Sequence, residues 1–231
     1  MTTARLNEIG EAYIRGHGGT PAFLGYRGFP AAICTSVNAQ VVHGIPGDHV
    51  LRAGDLLSID LGVKIDGWFT DSAITLGIGE LEADAARLLR VTRESLEVGI
   101  AQAVAGKKTG DMGASVQQHV EAAGLSVVRD CVGHGIGQSL HEEPSLPNYG
   151  KTGTGTAFKP GMALAIEPMV VTGDPSLELS ADRWTLATRD RSLAAHFEET
   201  VVVTDGEPER LTPLSSVLQA QKAPGKLGKV A

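Results

Sequence analysis

Asp60 stands in the middle of LLSIDLGV, an otherwise apolar run at 56–63, and Glu167 interrupts MALAIEPMVV at 162–171 in the same way. Burying a carboxylate among aliphatic side chains costs several kcal/mol unless a cation compensates it. Either residue taken alone reads as well as an edge-strand carboxylate facing water. Their company weighs against that. Asp60 and Asp71 lie eleven residues apart about a turn centred near residues 65 and 66, within about one residue of facing each other across a hairpin. Two carboxylates that close repel unless a shared cation holds them. Glu198 opens FEETVVV, and His134 sits in GHGIG directly after SVVRDCV. Oxygen-rich ligation with one imidazole nitrogen suits Mn²⁺, Fe²⁺, Co²⁺ or Zn²⁺ and fits a thiolate zinc site poorly. Two divalent ions balance four carboxylate charges, which is the arithmetic of a two-metal hydrolase.

These residues need strands to hold them. LLSIDLGV and WFTDSAITLGI, with KIDG between, predict a β-hairpin. From 80 to 105 the apolar positions Leu81, Ala85, Leu88, Leu89, Leu96, Ile100 and Val104 recur at steps of three and four, predicting an amphipathic helix that ends before Gly106. A second helix is expected over about 110–123, with Gly124 as its stop signal. Strand-like runs follow at SVVRDCV, MALAIEPMVV and ETVVVT, so the pattern is mixed α and antiparallel β. TARLNEIGEAYIRGHG at 3–18 weakly echoes TGDMGASVQQHVEAAG at 109–124, which suggests two related halves. The long helix then has no counterpart upstream, and apolar surface in the N-terminal half is expected to be exposed or covered by a neighbour.

The chain has 231 residues, 42% of them apolar, enough for one sizeable core. The expectation is a single catalytic domain over 1–214 and a disordered tail over 215–231, where three lysines and little apolar content occur. A net charge of −7 gives no electrostatic footprint for DNA or an anionic membrane. The opening MTTARLNEIG lacks the pattern of a signal peptide, and no run approaches a membrane span, so a cytoplasmic protein is expected. Cys34 and Cys131 form no CxxC pair and read as reduced thiols.

SIDLG, TDSA, GHGIG, IEP and HFEET, in this order, resemble the five metal-ligand motifs of type I methionine aminopeptidases. NAQVVHGIP around His43, SLHEEP around His141 and WTLATRDRSLAAHFEETVVVT extend the similarity to roughly residues 20–213. The resemblance implies an α+β, pseudo-twofold "pita-bread" fold, an antiparallel sheet with helices on its outer face and the usual first helix lacking. It implies two divalent ions, with Asp71 and Glu198 bridging them, Asp60 on one, and His134 and Glu167 on the other. Glu167 would also shuttle a proton. His43 would lie near the scissile amide and His141 near its carbonyl oxygen, with Tyr26, Phe29, Cys34 and Trp184 walling a methionine pocket. Phe23 and Leu140 depart from the family pattern, which has a small residue and an aromatic at these positions. The implied substrate is the N-terminus of a nascent peptide, methionine followed by a small residue, with the ribosome as a further implied partner and a monomer as the implied state. Two other readings stand beside it: a proline-directed peptidase of the Xaa-Pro aminopeptidase or prolidase kind, which shares the ligand set, and an inactive relative that binds a protein partner, a kind that typically loses metal ligands. His17, His49, His119 and His196 have no motif around them and read as surface or packing residues.

Overall fold

The computed structural model describes residues 1–215, and the expected tail from residue 216 on lies outside the described residues. The chain runs α1 (Thr3–Gly16), β1 (Thr20–Pro21), a 3₁₀ turn (Tyr26–Gly28), β2 (Cys34–Val37), β3 (Gln40–Val42), β4 (Leu56–Ile65), β5 (Trp68–Gly77), α2 (Ala83–Ile100) and α3 (Thr109–Ala122). It continues through β6 (Ser126–Val127), β7 (Gly133–Gly135), β8 (Glu142–Leu146), β9 (Ala163–Ile166), β10 (Met169–Val171), β11 (Leu177–Leu179), β12 (Leu186–Thr188), β13 (Ala194–His196), β14 (Glu198–Val202) and β15 (Glu209–Arg210).

The main sheet has the order β1–β4–β5–β14–β9–β7–β8, with β2 also on β4 and β15 on β14. Its middle is the β5–β14 pair, where Glu198 faces Ala73. Outward from that junction β4 flanks β5 on one side and β9 flanks β14 on the other, the two-half arrangement that the internal echo suggested. Two three-stranded sheets, β13–β10–β6 and β11–β12–β3, complete the described architecture.

The predicted hairpin is β4–β5. It turns on Asp66 and Gly67, whose φ values of 50° and 88° are the positive pair that a tight hairpin turn needs. That centre lies one residue later than expected, so Asp60 pairs with Ala73 and Asp71 with Gly62. Asp71 is thus the diagonal neighbour of Asp60, on the same face of the sheet. The long helix ends at Ile100 rather than 105. Gln102 N–H reaches Gly99 O and Ala103 N–H reaches Ile100 O, three-residue bonds that tighten its end into a turn.

Two strand expectations change. SVVRDCV yields only Ser126–Val127, and MALAIEPMVV is broken at Glu167-Pro168 rather than continuous. Proline has no N–H to donate to a ladder, and the chain leaves the main sheet after Ile166. It re-pairs through β10 with β13 and β6.

Alternation along the central strands separates the two faces. Leu164, Ile166, Val201 and Val203 pack with Leu88, Leu96, Ile100, Met112 and Val120 of α2 and α3 in the largest core cluster. Full burial of each such side chain contributes about 1.5–3 kcal/mol. Ala165 belongs instead to a second cluster with Phe29 and Cys34. By the same period Glu198 and Thr200 face away from the helices, while Glu199 lies under them and meets Arg210 at 3.1 Å. The echoed helices differ in packing. α3 buries Met112, Val116 and Val120, whereas α1 buries Thr3 and Ile14 and leaves Ile9 39% and Tyr13 67% exposed.

Candidate metal centre

Asp71 leaves the middle of β5, and its backbone is clamped from across the sheet. Its N–H donates to the Thr200 hydroxyl oxygen at 2.9 Å, and that hydroxyl donates to Asp71 O at 2.7 Å. Glu198 opens β14 beside it, and Asp60 comes from β4. His134 is the middle residue of β7, where carbonyls of neighbouring strands press on both flanking residues. A Cβ at Gly133 would lie 2.4 Å from Ala165 O, and one at Gly135 2.2 Å from Glu143 O, so the GHG sequence is what lets β7 enter the sheet. Glu167 projects from the break after β9 rather than from within a strand.

One ligand atom each from Asp71, His134 and Glu198 lie within 4.8 Å of one another, and all three residues are buried. Glu167 Oε1 is 3.7 Å from His134 Nε2. The Nδ1 of His134 lies 2.8 Å from Gly135 O, which can only accept, so Nδ1 carries the proton and Nε2 offers its lone pair to the cluster. Among the described residues Asp60 Oδ1 and Glu198 Oε1 are buried without a hydrogen-bond partner. Four carboxylates, one imidazole and two orphaned oxygens fit divalent cations, with Asp60, Asp71, His134, Glu167 and Glu198 as the donor set.

Burial, and then the charge of neighbouring acids, pushes the carboxyls of Asp60 and Glu198 well above the usual range. Burial first and then Glu167 raise Asp71 to about 8, and burial raises Glu167 to about 7. In an unfolded chain such groups ionise near pH 4. Between pH 4 and 8 the cation-free folded chain therefore binds more protons than the unfolded one, and its stability falls as pH rises through that window. The Tm of chelator-treated protein should drop between pH 5 and pH 8, whereas protein saturated with divalent metal should not share that slope. Parallel profiles would contradict the cluster's role.

All eleven site residues anticipated from the sequence line one cavity. The four acids and the His134 imidazole are joined there by His43, His141, Tyr26, Phe29, Cys34 and Trp184. Phe29 and Trp184 meet edge to face at 5.1 Å, an arrangement that favours a closed apolar wall. Cys34 faces Asp60 across β2–β4, and burial, then that carboxylate, holds its thiol protonated. Phe23 and Leu140, the two departures, are 8% and 2% exposed and also line the cavity. A Cβ at Gly62 would lie 2.7 Å from the Phe23 ring, so glycine makes room for this phenylalanine beside Asp71's strand partner.

Three residues of the site were not anticipated. His196, read as a packing residue, is 2% exposed, and its Nε2 is 3.4 Å from Glu167 Oε2. Burial lowers its pKa to about 3, so the ring is neutral against that carboxylate. Its nearness to Glu198 in sequence was the available signal, although it lies on β13 in a different sheet. Thr200 could have been found from the two-residue period after Glu198. Arg27, on the cavity rim at φ 50°, had no sequence signal. His49 and His119 are peripheral, within ion-pair distance of Asp55 and Glu94.

A model of metallopeptidase family M24 matches residues 1–205. The methionine aminopeptidase of Clostridium acetobutylicum is 48% identical over 213 residues, 92% of this chain and 85% of that protein. The crystal structure of methionine aminopeptidase from Rickettsia prowazekii superposes with a TM-score of 0.91 at 43% identity, over 92% of this chain and 86% of that one. The prolidase from Pyrococcus horikoshii reaches a TM-score of 0.73 at 19% identity, and the match covers 92% of this chain but 54% of the prolidase, a likeness of fold alone.

Proposed function

The chain belongs to metallopeptidase family M24, and from that premise we propose that it is an aminopeptidase that removes N-terminal methionine from peptides. The observation that carries this reading is the convergence of three buried carboxylates, the partly buried Glu167 and the His134 imidazole at the floor of a cavity walled by Tyr26, Phe29, Cys34 and Trp184. Such a floor suits divalent metal, and such walls suit an unbranched thioether side chain.

Asp60, Asp71, His134, Glu167 and Glu198 are the residues that would hold two divalent ions. Bound there, divalent metal supplies a nucleophilic water at neutral pH and polarises the scissile carbonyl. The walls fix the methionine side chain and thereby place the scissile carbonyl over the floor. Glu167, beside His134 and within reach of the reacting atoms, holds the proton destined for the leaving amine. His43 lies near the amide being cut. His141 donates a hydrogen bond to the oxygen on which charge develops. Methionine followed by a small residue is the preferred terminus, and the substrates are nascent chains met in the cytoplasm, at or near the ribosome. The enzyme works as a monomer with one catalytic domain over 1–214. The identities of Phe23 and Leu140 adjust the pocket without touching the ligand set.

Release of free methionine from Met-Ala-Ser, set beside cleavage of an Ala-Pro peptide, tests this function. Turnover of the first and none of the second is expected. Cleavage of the proline peptide alone would move the chain to the proline-directed branch, and turnover of neither by metal-loaded protein would leave it a binding module.

A further inference from the structure

His134 and His141 stand side by side on the cavity, their ring centroids 4.1 Å apart, yet their Nδ1 atoms face opposite kinds of partner. His134 Nδ1 meets a carbonyl, as above. His141 Nδ1 lies 3.0 Å from the hydroxyl of Tyr26. A phenol is un-ionised at neutral pH and is a better donor than acceptor. An imidazole that accepts at Nδ1 carries its proton on Nε2. We propose that Tyr26 is a positioning residue that locks His141 in the Nε2–H tautomer, so that the pocket-wall residue also aims a proton donor at the scissile carbonyl. This rests on the functional reading above for what His141 does, but not for which nitrogen holds its proton.

The delivery of the phenol is rigid. Tyr26 N–H donates to Phe23 O at 2.9 Å, and Phe29 N–H donates to Tyr26 O at 2.9 Å. Gly25 N–H closes the same loop onto Phe29 O at 2.8 Å. The Tyr26 ring lies nearly parallel to the His141 ring, at 17° and 5.3 Å between centroids, with the Arg27 guanidinium 5.3 Å from its own centroid. Among the described residues His141 Nε2 has no protein partner and is left for substrate. At about pH 8, above the ordinary imidazole range, a histidine ring is neutral and has a tautomer to choose. Two adjacent imidazoles thus take opposite jobs: a carbonyl turns His134 Nε2 into an acceptor for metal, and a phenol turns His141 Nε2 into a donor.

Tyr26→Phe keeps the ring, the stack and the apolar wall and removes only the hydroxyl. With zinc-loaded enzyme carrying ¹⁵N-labelled histidine, the His141 signals, assigned by their loss in His141→Ala, should show an unprotonated Nδ1 and a protonated Nε2. In Tyr26→Phe a population with Nδ1 protonated should appear. The variant should lose on the order of 10-fold in kcat on Met-Ala-Ser with KM little changed. His141→Ala sets the ceiling, a loss of about 10²–10³ in kcat. A protonated Nδ1 in the unmodified enzyme, or a Tyr26→Phe enzyme with full kcat, would overturn the assignment. Unmodified enzyme that releases no methionine would sink the functional reading instead, and the spectrum would still decide the tautomer.

Discussion

Asp71→Ala should lower methionine release on the order of 10³-fold or more, while Asp66→Asn, five residues earlier, should keep nearly the full rate. Both acids belong to one hairpin, so the comparison isolates position from composition. Asp71 is 4% exposed and lies with His134 and Glu198 in the tightest group of ligand atoms. Removing this carboxylate from the centre of the ligand cluster should weaken metal binding as well as turnover. Asp66 is exposed in the turn, and asparagine tolerates its φ of 50° as well as aspartate does. The backbone at Asp71 is clamped by both bonds to Thr200, which the substitution leaves in place while it removes the single bond from Ser72 N–H to the Asp71 carboxylate, so the Asp71→Ala protein should fold. Comparable rates for the two variants, with unchanged circular dichroism, would show that the centre lies elsewhere.

Much of the site was legible because its residues violate their surroundings. A carboxylate inside LLSIDLGV or at the head of FEETVVV is a local contradiction, and contradictions of that kind mark function. The hairpin and the long helix followed from periodicity, and the order of motifs from the family resemblance. What periodicity could not give was the exact register and the sheet change. The turn centre moved by one residue because Asp66 and Gly67 both take positive φ, which shifted Asp71 to the diagonal of Asp60. Pro168 split one apolar run between two sheets and left Glu167 at the break. His196 was marked in the sequence only by its place two residues before Glu198, because its contact with Glu167, which joins β13 to that break, is a tertiary relation. Tyr26 was legible as a wall but not as a partner of His141, since 115 residues separate them.

Metal removal should have the largest effect of all. Without cations the buried carboxyls of Asp60, Asp71, Glu167 and Glu198 hold protons that they would not hold in water, and orphaned oxygens remain on Asp60 and Glu198. Divalent ions bound there would replace those protons, satisfy those oxygens and stabilise the folded chain. Among the described residues of the cavity, the Cys34 thiol is not a competing nucleophile, because burial and then the Asp60 carboxylate keep it protonated. The decisive measurement is therefore methionine release from Met-Ala-Ser by exhaustively chelated protein, with metal content verified, followed by stepwise addition of Mn²⁺, Fe²⁺, Co²⁺ or Zn²⁺. Turnover should be abolished by chelation and restored by added metal, reaching its plateau by about two ions per chain. Full turnover by protein with negligible metal would contradict the account.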